Sequence, residues 1–484
     1  MLDHKDALVG SVKQVDVKPP TYHGQPSPPT AAGAAGPSLR GLGTTIRRLR
    51  WTEFRLLLIP SLLSIIGMLM VILVPTGAVQ WQWTDIWMSF LFIGLLYGVH
   101  AWLNITHPRA DQVILPLVAV IMVLGLVMIQ RLEPALVAGS DAFKGIANKQ
   151  VIWITLGVVA LLLTVTFVRD LSLLRRYKYT FAIAGIALVV VTLFRGSDAG
   201  SGTGVNLWLN FGFFQFQPSE LLKVLLVIFL AGYLDDKRDL LASPYRVGPI
   251  SLPPLPYLAP LLLLWALALV LFVVQKDLGS ALLFFGIFLS MLYIASGRAF
   301  YVVGGLALFG LAAYLLSTLL ASQFQHIQQR VDIWLNPWPV GNTEGFQIVR
   351  SLFALASGGA LGSGIGFGAP ATIPAVHTDM VISAIGEELG LAGTLAVIAL
   401  FMLLVYRGYH IALLARNGYE QLLAVGLTTV LGLQTIIIIG GAIKMIPLTG
   451  ITLPFISYGG SSLITNFVIV GLLLRISARK GRNA

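Results

Sequence analysis

Runs of about twenty apolar residues, separated by short polar turns, recur along the chain, and each is long enough to cross a hydrocarbon core as a helix. They predict twelve spans near 54–74, 85–104, 112–130, 150–168, 178–195, 219–234, 256–275, 279–297, 299–320, 388–407, 422–441 and 461–476. Two stretches break this rhythm. Residues 1–46 are rich in Pro, Gly and Ala without apolar periodicity, which predicts a disordered tail and not a cleavable signal. Between the ninth and tenth spans, residues 321–379 form a break far longer than a helical hairpin needs, with many Trp, Gly and Pro. Long ordered loops of this kind tend to carry function. The expected fold class is therefore all-α, a polytopic membrane helical bundle of about twelve spans with one long loop.

Composition agrees with that pattern: 56% of the 484 residues are hydrophobic and 11% charged, against roughly a quarter charged in soluble domains. The absence of cysteine excludes disulfides and thiolate metal sites. A net charge of +11 raises the question of nucleic acid, which the placement of the charges answers. Arg47, Arg48 and Arg50, Arg109, Arg175 and Lys178, Lys237 and Arg238, Arg298, Arg407 and Arg416, and Arg475 and Arg479 all fall in alternate loops or at the termini. The positive-inside rule then predicts both termini in the cytoplasm and the 321–379 loop outside, with no nucleic-acid partner.

Four polar clusters fall on the expected outer side. In QPSELLK, Glu220 and Lys223 are three apart and share a helical face, where a plain ion pair at a helix start is the alternative. In QKDLGS, Lys276 and Asp277 occupy a turn, which taken alone is structural. In HTDMVISAIGEELG, Asp379, Ser383 and Glu387 recur at a spacing of four, beside Glu388. Thr378 or Asp379 also suits a helix cap, whereas Glu387 is a carboxylate inside an apolar segment and needs a partner or a task. In IPLTGITLPFISYGGSS, preceded by Lys444 and including Ser457 and Ser461, prolines and glycines break the helix at membrane depth, as where backbone lines a cavity. The glycines of 358–368 read as a tight turn, because no strand precedes them as a nucleotide loop requires. His377 with Asp379 lacks the further ligands of a metal site.

Taken in order, NLWLNFGFFQFQPSELLK, QKDLGSALL, WLNPW…GFQIVRSLFALASGG, HTDMVISAIGEELG and ITLPFISYGGSS closely resemble the SEDS family of shape, elongation, division and sporulation proteins, from about Val113 to Ile476. The resemblance implies a ten-span core over 107–480, leaving 47–106 as two additional helices, with the tail cytoplasmic and the 321–379 loop extracellular. It implies a peptidoglycan glycosyltransferase that polymerises lipid II at the outer face of the cytoplasmic membrane, releases undecaprenyl diphosphate and works beside a class B penicillin-binding protein. Such chemistry needs a carboxylate to take the acceptor proton and cations to stabilise the leaving diphosphate. No cofactor is called for, no metal ligand is assigned, and a divalent cation is left open.

The match departs at one place. Where the family carries an aspartate after its NPW-like element, this chain has Val340. The expected catalytic carboxylates are then Glu344, four residues on, with Asp332 as the second option. Glu220, Lys223, Lys276, Asp277, Arg350, His377, Asp379, Glu387, Lys444, Ser457 and Ser461 are expected to bind substrate. Two alternatives stand beside the enzyme: a non-catalytic scaffold or activator of a cell-wall synthase, which would make no polymer, and a lipid II flippase, which would translocate lipid with polymerisation blocked. The flippase suits the span number and the broken helix but not the crowding of polar motifs on one side.

Overall fold

Without water at membrane depth, backbone N–H and C=O groups must pair within each segment, and the apolar runs do fold as helices. The computed structural model describes residues 50–74, 83–197, 207–212, 214–242, 245–247, 250–252, 255–319 and 325–479. The predicted tail 1–46 lies outside the described residues. In chain order the helices are α1 (Trp51–Leu73), α2 (Trp87–Thr106), α3 (Ile114–Gly139), α4 (Ile146–Phe167), α5 (Leu171–Arg176), α6 (Lys178–Arg195), α7 (Pro218–Asp236), α8 (Arg238–Ala242), α9 (Leu255–Val274), α10 (Leu278–Ser296), α11 (Ala299–Leu319), α12 (Gln325–Leu335), α13 (Phe346–Gly358), α14 (Val381–Leu413), α15 (Gly418–Ala442) and α16 (Gly460–Ser477). Two small antiparallel hairpins, β1 (Leu209–Asn210) with β2 (Gln215–Phe216) and β3 (Tyr245–Val247) with β4 (Ile250–Leu252), complete the elements.

Each predicted span has a long helix at its position, and nine of these, among the described residues, are long and apolar enough to cross a membrane. The chain is a multi-pass membrane protein. Helix α7 is not one of the nine, because Glu220, Lys223, Asp235 and Asp236 interrupt its apolar surface. Turn chemistry sets several boundaries: Pro218 occupies the first turn of α7, and Asp277 and Asn417 cap α10 and α15 by accepting from Ser280 N and Glu420 N, both at 2.9 Å. Helices α3, α15 and α16 are buried over most of their length, whereas α1, α2, α4 and α6 expose much of theirs, so the core sits among the former.

The long connection between the ninth and tenth spans carries secondary structure of its own: among its described residues, α12, a 3₁₀ turn at Trp338–Val340, α13, a glycine-rich segment and a second 3₁₀ turn at Pro370–Thr372 follow one another before α14. Helix α13 forms because Ile348, Ser351, Ala354 and Gly358 make one buried face against α14, a period too short to register as a span. A Cβ built on Gly358 would lie 1.9 Å from Gly386 O, so only glycine lets these helices approach so closely. Gly358→Ala is expected to force them apart and cost about 1–3 kcal/mol, read as a lower unfolding temperature in detergent.

Helices α1 and α2 are bound to the core at both ends. At one end the buried Arg50 pairs with Glu53 and donates to Ala110 O and Asp111 O, both at 2.8 Å, while His100 Nδ1 lies 2.7 Å from Glu53. Asp111 in turn pairs with Arg407 of α14. Midway, Gly67 of α1 packs on Val127 of α3, and at the far end Val74 lies against Gly366 of the glycine-rich segment.

Candidate active site

Helix α12 places Arg330, Ile333 and Trp334 on one face, at spacings of three and four. That face is tied to the segment after α15: Arg330 Nη1 donates to Leu448 O at 3.0 Å, Trp334 Nε1 to Lys444 O at 3.1 Å, and Lys444 Nζ to Leu335 O at 3.3 Å. Lys444 itself takes a left-handed conformation, φ 61°, a sparsely populated region for a side-chain-bearing residue. The turn after Trp338 closes when Val340 O accepts from Thr343 N at 3.1 Å and Gly345 N at 2.9 Å, leaving Glu344 at its tip. A second tight turn, in which Ala375 O accepts from Thr378 N and Asp379 N, lifts Asp379 just ahead of α14.

These pieces enclose a cavity of about 200 Å³ lined chiefly by Arg330, Trp334, Glu344, Gln347, Asp379 and Lys444. Gly450, with φ 74°, brings the backbone of the post-α15 segment beside Asp379: a Cβ there would be 3.6 Å from Oδ2. Two carboxylates and two cations therefore face one small space.

Their environments differ. Glu344 is exposed, and a hydrogen bond from Thr343 holds its carboxyl below the usual carboxylate range. Asp379 is half-buried, and burial pushes it up to about 6 despite Thr378 and the charge of Arg330. Arg330 also acts on Asp277, which burial and the nearby Glu220 push up and the Ser280 hydrogen bonds pull down. One guanidinium thus connects the start of α10 with the cavity.

Of the residues expected from sequence, Glu344, Asp379 and Lys444 converge here. Others do not. Asp332 is exposed and absent from the cavity lining, because it lies off the Arg330–Trp334 face. Arg350 is exposed and stacks over the Phe346 ring at 4.9 Å. Glu220 and Lys223 form a buried pair at 2.7 Å, and Lys223 also donates to Gln434, which donates to Thr452 O: a brace beneath the post-α15 segment. Asp277 is a helix cap and Lys276 an exposed turn residue with φ 56°.

The helix-face expectation for HTDMVISAIGEELG also changes. Asp379 precedes α14, Ser383 meets Ser351 of α13 at 2.6 Å, and Glu387 accepts from Ala369 N at 2.7 Å, fastening the glycine-rich segment. His377 packs between Phe143 and Tyr458, and burial holds its imidazole below its usual range. Ser457 donates to Thr378 O, and Ser461 accepts from Gln217 N at 3.0 Å, so both hydroxyls join segments together. Among the described residues no three His, Asp or Glu gather in a way that could hold a metal ion. Sequence reading missed Arg330, Trp334 and Gln347. The one available signal was Arg330 four residues before Trp334 on a short helix of the functional loop.

The FtsW, RodA and SpoVE family model, described as cell cycle protein, matches residues 111–482. The peptidoglycan glycosyltransferase RodA of Mycobacterium tuberculosis is 38% identical over 434 residues, 88% of this chain and 90% of its own. The probable peptidoglycan glycosyltransferase FtsW of Geobacter metallireducens is 34% identical over 375 residues, 77% of this chain and 95% of its own. Among solved structures, a chain of a peptidoglycan synthase complex that coordinates polymerization and crosslinking is similar with TM-score 0.60 and 26% identity, over 77% of this chain and 99% of that one. The rod shape determining protein RodA of Thermus thermophilus is similar with TM-score 0.53 and 25% identity, over 76% and 96%.

Proposed function

The chain belongs to the SEDS family, the FtsW, RodA and SpoVE cell cycle proteins, and from this premise we propose that its cavity is where a peptidoglycan glycosyltransferase joins lipid-linked sugars. The protein is such a glycosyltransferase; the substrate, orientation and residue roles that follow are our reading. The observation that carries it is the meeting of Glu344 and Asp379 with Arg330 and Lys444 in one cavity.

Lipid II supplies both donor and acceptor. A sugar hydroxyl of the acceptor attacks the anomeric carbon of the donor, the bond to diphosphate breaks with inversion, and the hydroxyl proton passes to a cavity carboxylate. Undecaprenyl diphosphate leaves with its negative charge facing Arg330 and Lys444. A membrane bundle keeps the prenyl chains in lipid while the sugars meet at the cavity. The Arg-rich end, with Arg50, Arg407 and Arg475, faces the cytoplasm together with both termini, which puts the cavity on the outer face. A class B penicillin-binding protein is the partner that cross-links the product, in keeping with the synthase complex to which the fold is similar.

Removing both carboxylates, Glu344→Gln with Asp379→Asn, is expected to lower polymer formation from lipid II by at least about 10³-fold. The measurement is product length on a gel, with purified protein and its partner at matched amounts. Undiminished polymer from the double variant would place the chemistry elsewhere in the bundle.

A further inference from the structure

The two carboxylates of the cavity are not equivalent, and their placement separates their tasks. Glu344 stands at the tip of the Val340–Gly345 turn with its side chain in solvent. Asp379 is set back, half-buried, at the end of a tight turn and against the open Cα of Gly450. We propose that Asp379 takes the proton from the acceptor hydroxyl and that Glu344, the acid nearest in sequence to Val340, orients the acceptor sugar. The proposal rests on the glycosyltransferase reading of this cavity and assigns the step within it.

Geometry and chemistry support the division. An exposed carboxylate competes with water for every donor, whereas a partly desolvated one presents a stronger acceptor to a substrate that fills the cavity. A base works best when its affinity for protons approaches the working pH. Burial moves Asp379 toward that range, while Thr343 moves Glu344 away from it. The step balances within the groups present: the acceptor O–H bond breaks, its oxygen bonds to the anomeric carbon, the diphosphate departs as an anion, and the proton remains on Asp379. Product release lets solvent remove it.

The charged and titratable groups around Asp379 are Arg330 from α12, Glu344 from the turn before α13, Lys444 from the segment after α15 and His377 from its own turn. Asp277 at the start of α10 shares the field of Arg330. The Thr378 hydrogen bond and the charge of Arg330 oppose the effect of burial, so the position near 6 is the outcome of that competition.

The test is the pH dependence of lipid II polymerisation by wild type, Asp379→Asn and Glu344→Gln, each with its partner. Wild type is expected to lose activity as pH falls through about 6, because Asp379 then becomes protonated. Glu344→Gln keeps that acid limb at a rate lowered about tenfold, whereas Asp379→Asn loses at least about 10²-fold at every pH. Asp379→Asn should also unfold at a temperature no lower than wild type at pH 7, since it removes a half-buried charge, and this shows that its loss is not misfolding. An acid limb below pH 5 with an active Asp379→Asn overturns the assignment and leaves the glycosyltransferase reading standing. Absence of polymer from wild type overturns both.

Discussion

Replacing Arg330 by alanine is expected to slow glycan polymerisation by about 10²–10³-fold, the effect of deleting one donor aimed at charge that develops in the transition state. Arg330 is a cation of the cavity whose position is fixed by a protein carbonyl, Leu448 O, so in the mechanism proposed above it would need little reorganisation. The same substitution carries a second signature. Arg330 lowers both Asp379 and Asp277, so its removal lets burial push those carboxyls further up. The acid limb of the activity profile should therefore move to higher pH in Arg330→Ala, a change that loss of packing alone does not produce. Arg330→Lys restores the charge but not the planar donor fork, and is expected to recover the acid limb more fully than the rate.

The second large effect is on stability. Arg131 of α3 lies with Nε 3.1 Å from Oε1 of Glu388, a side chain with no exposed surface, and donates to Gly366 O and Gly368 O at 3.1 Å each. Arg131→Ala would strand a carboxylate inside the bundle and release two glycine carbonyls. The expected cost is about 3–5 kcal/mol, measured by unfolding in detergent at neutral pH. Adding Glu388→Gln to Arg131→Ala removes the orphan charge and should return part of that loss, so the two substitutions will not add. Additive losses would mean that the pair contributes no coupling.

The helices were legible in the sequence because one constraint governs them: an apolar run in lipid has no alternative to internal hydrogen bonding. Helix α14 begins ahead of its predicted span because it is broken at Gly390 (φ 69°): the span near 388–407 corresponds to the part after the break, while Val381 to Gly386 before it is buried within the protein. The site was legible in part. Lys444 and Asp379 stood out as charges beside broken helices, and Glu344 as the nearest acid to Val340. Arg330 was hidden because its value comes from meeting the segment after α15, more than a hundred residues away. Glu387 needed a partner or a task in its apolar setting, and the fold supplies a partner, the amide of Ala369. Spacing along a helix identifies a shared face but not what the fold lays against it.

The contact between Val74 and Gly366 gives the first two helices a mechanical role. They form a buttress that runs from the Arg50 anchorage at one end to the glycine-rich segment at the other, and that segment is fastened to α14 through Glu387 and Glu388. Removing α1 and α2 would take away this prop, exposing the side of α3 on which α1 now leans and freeing one wall of the glycine-rich segment.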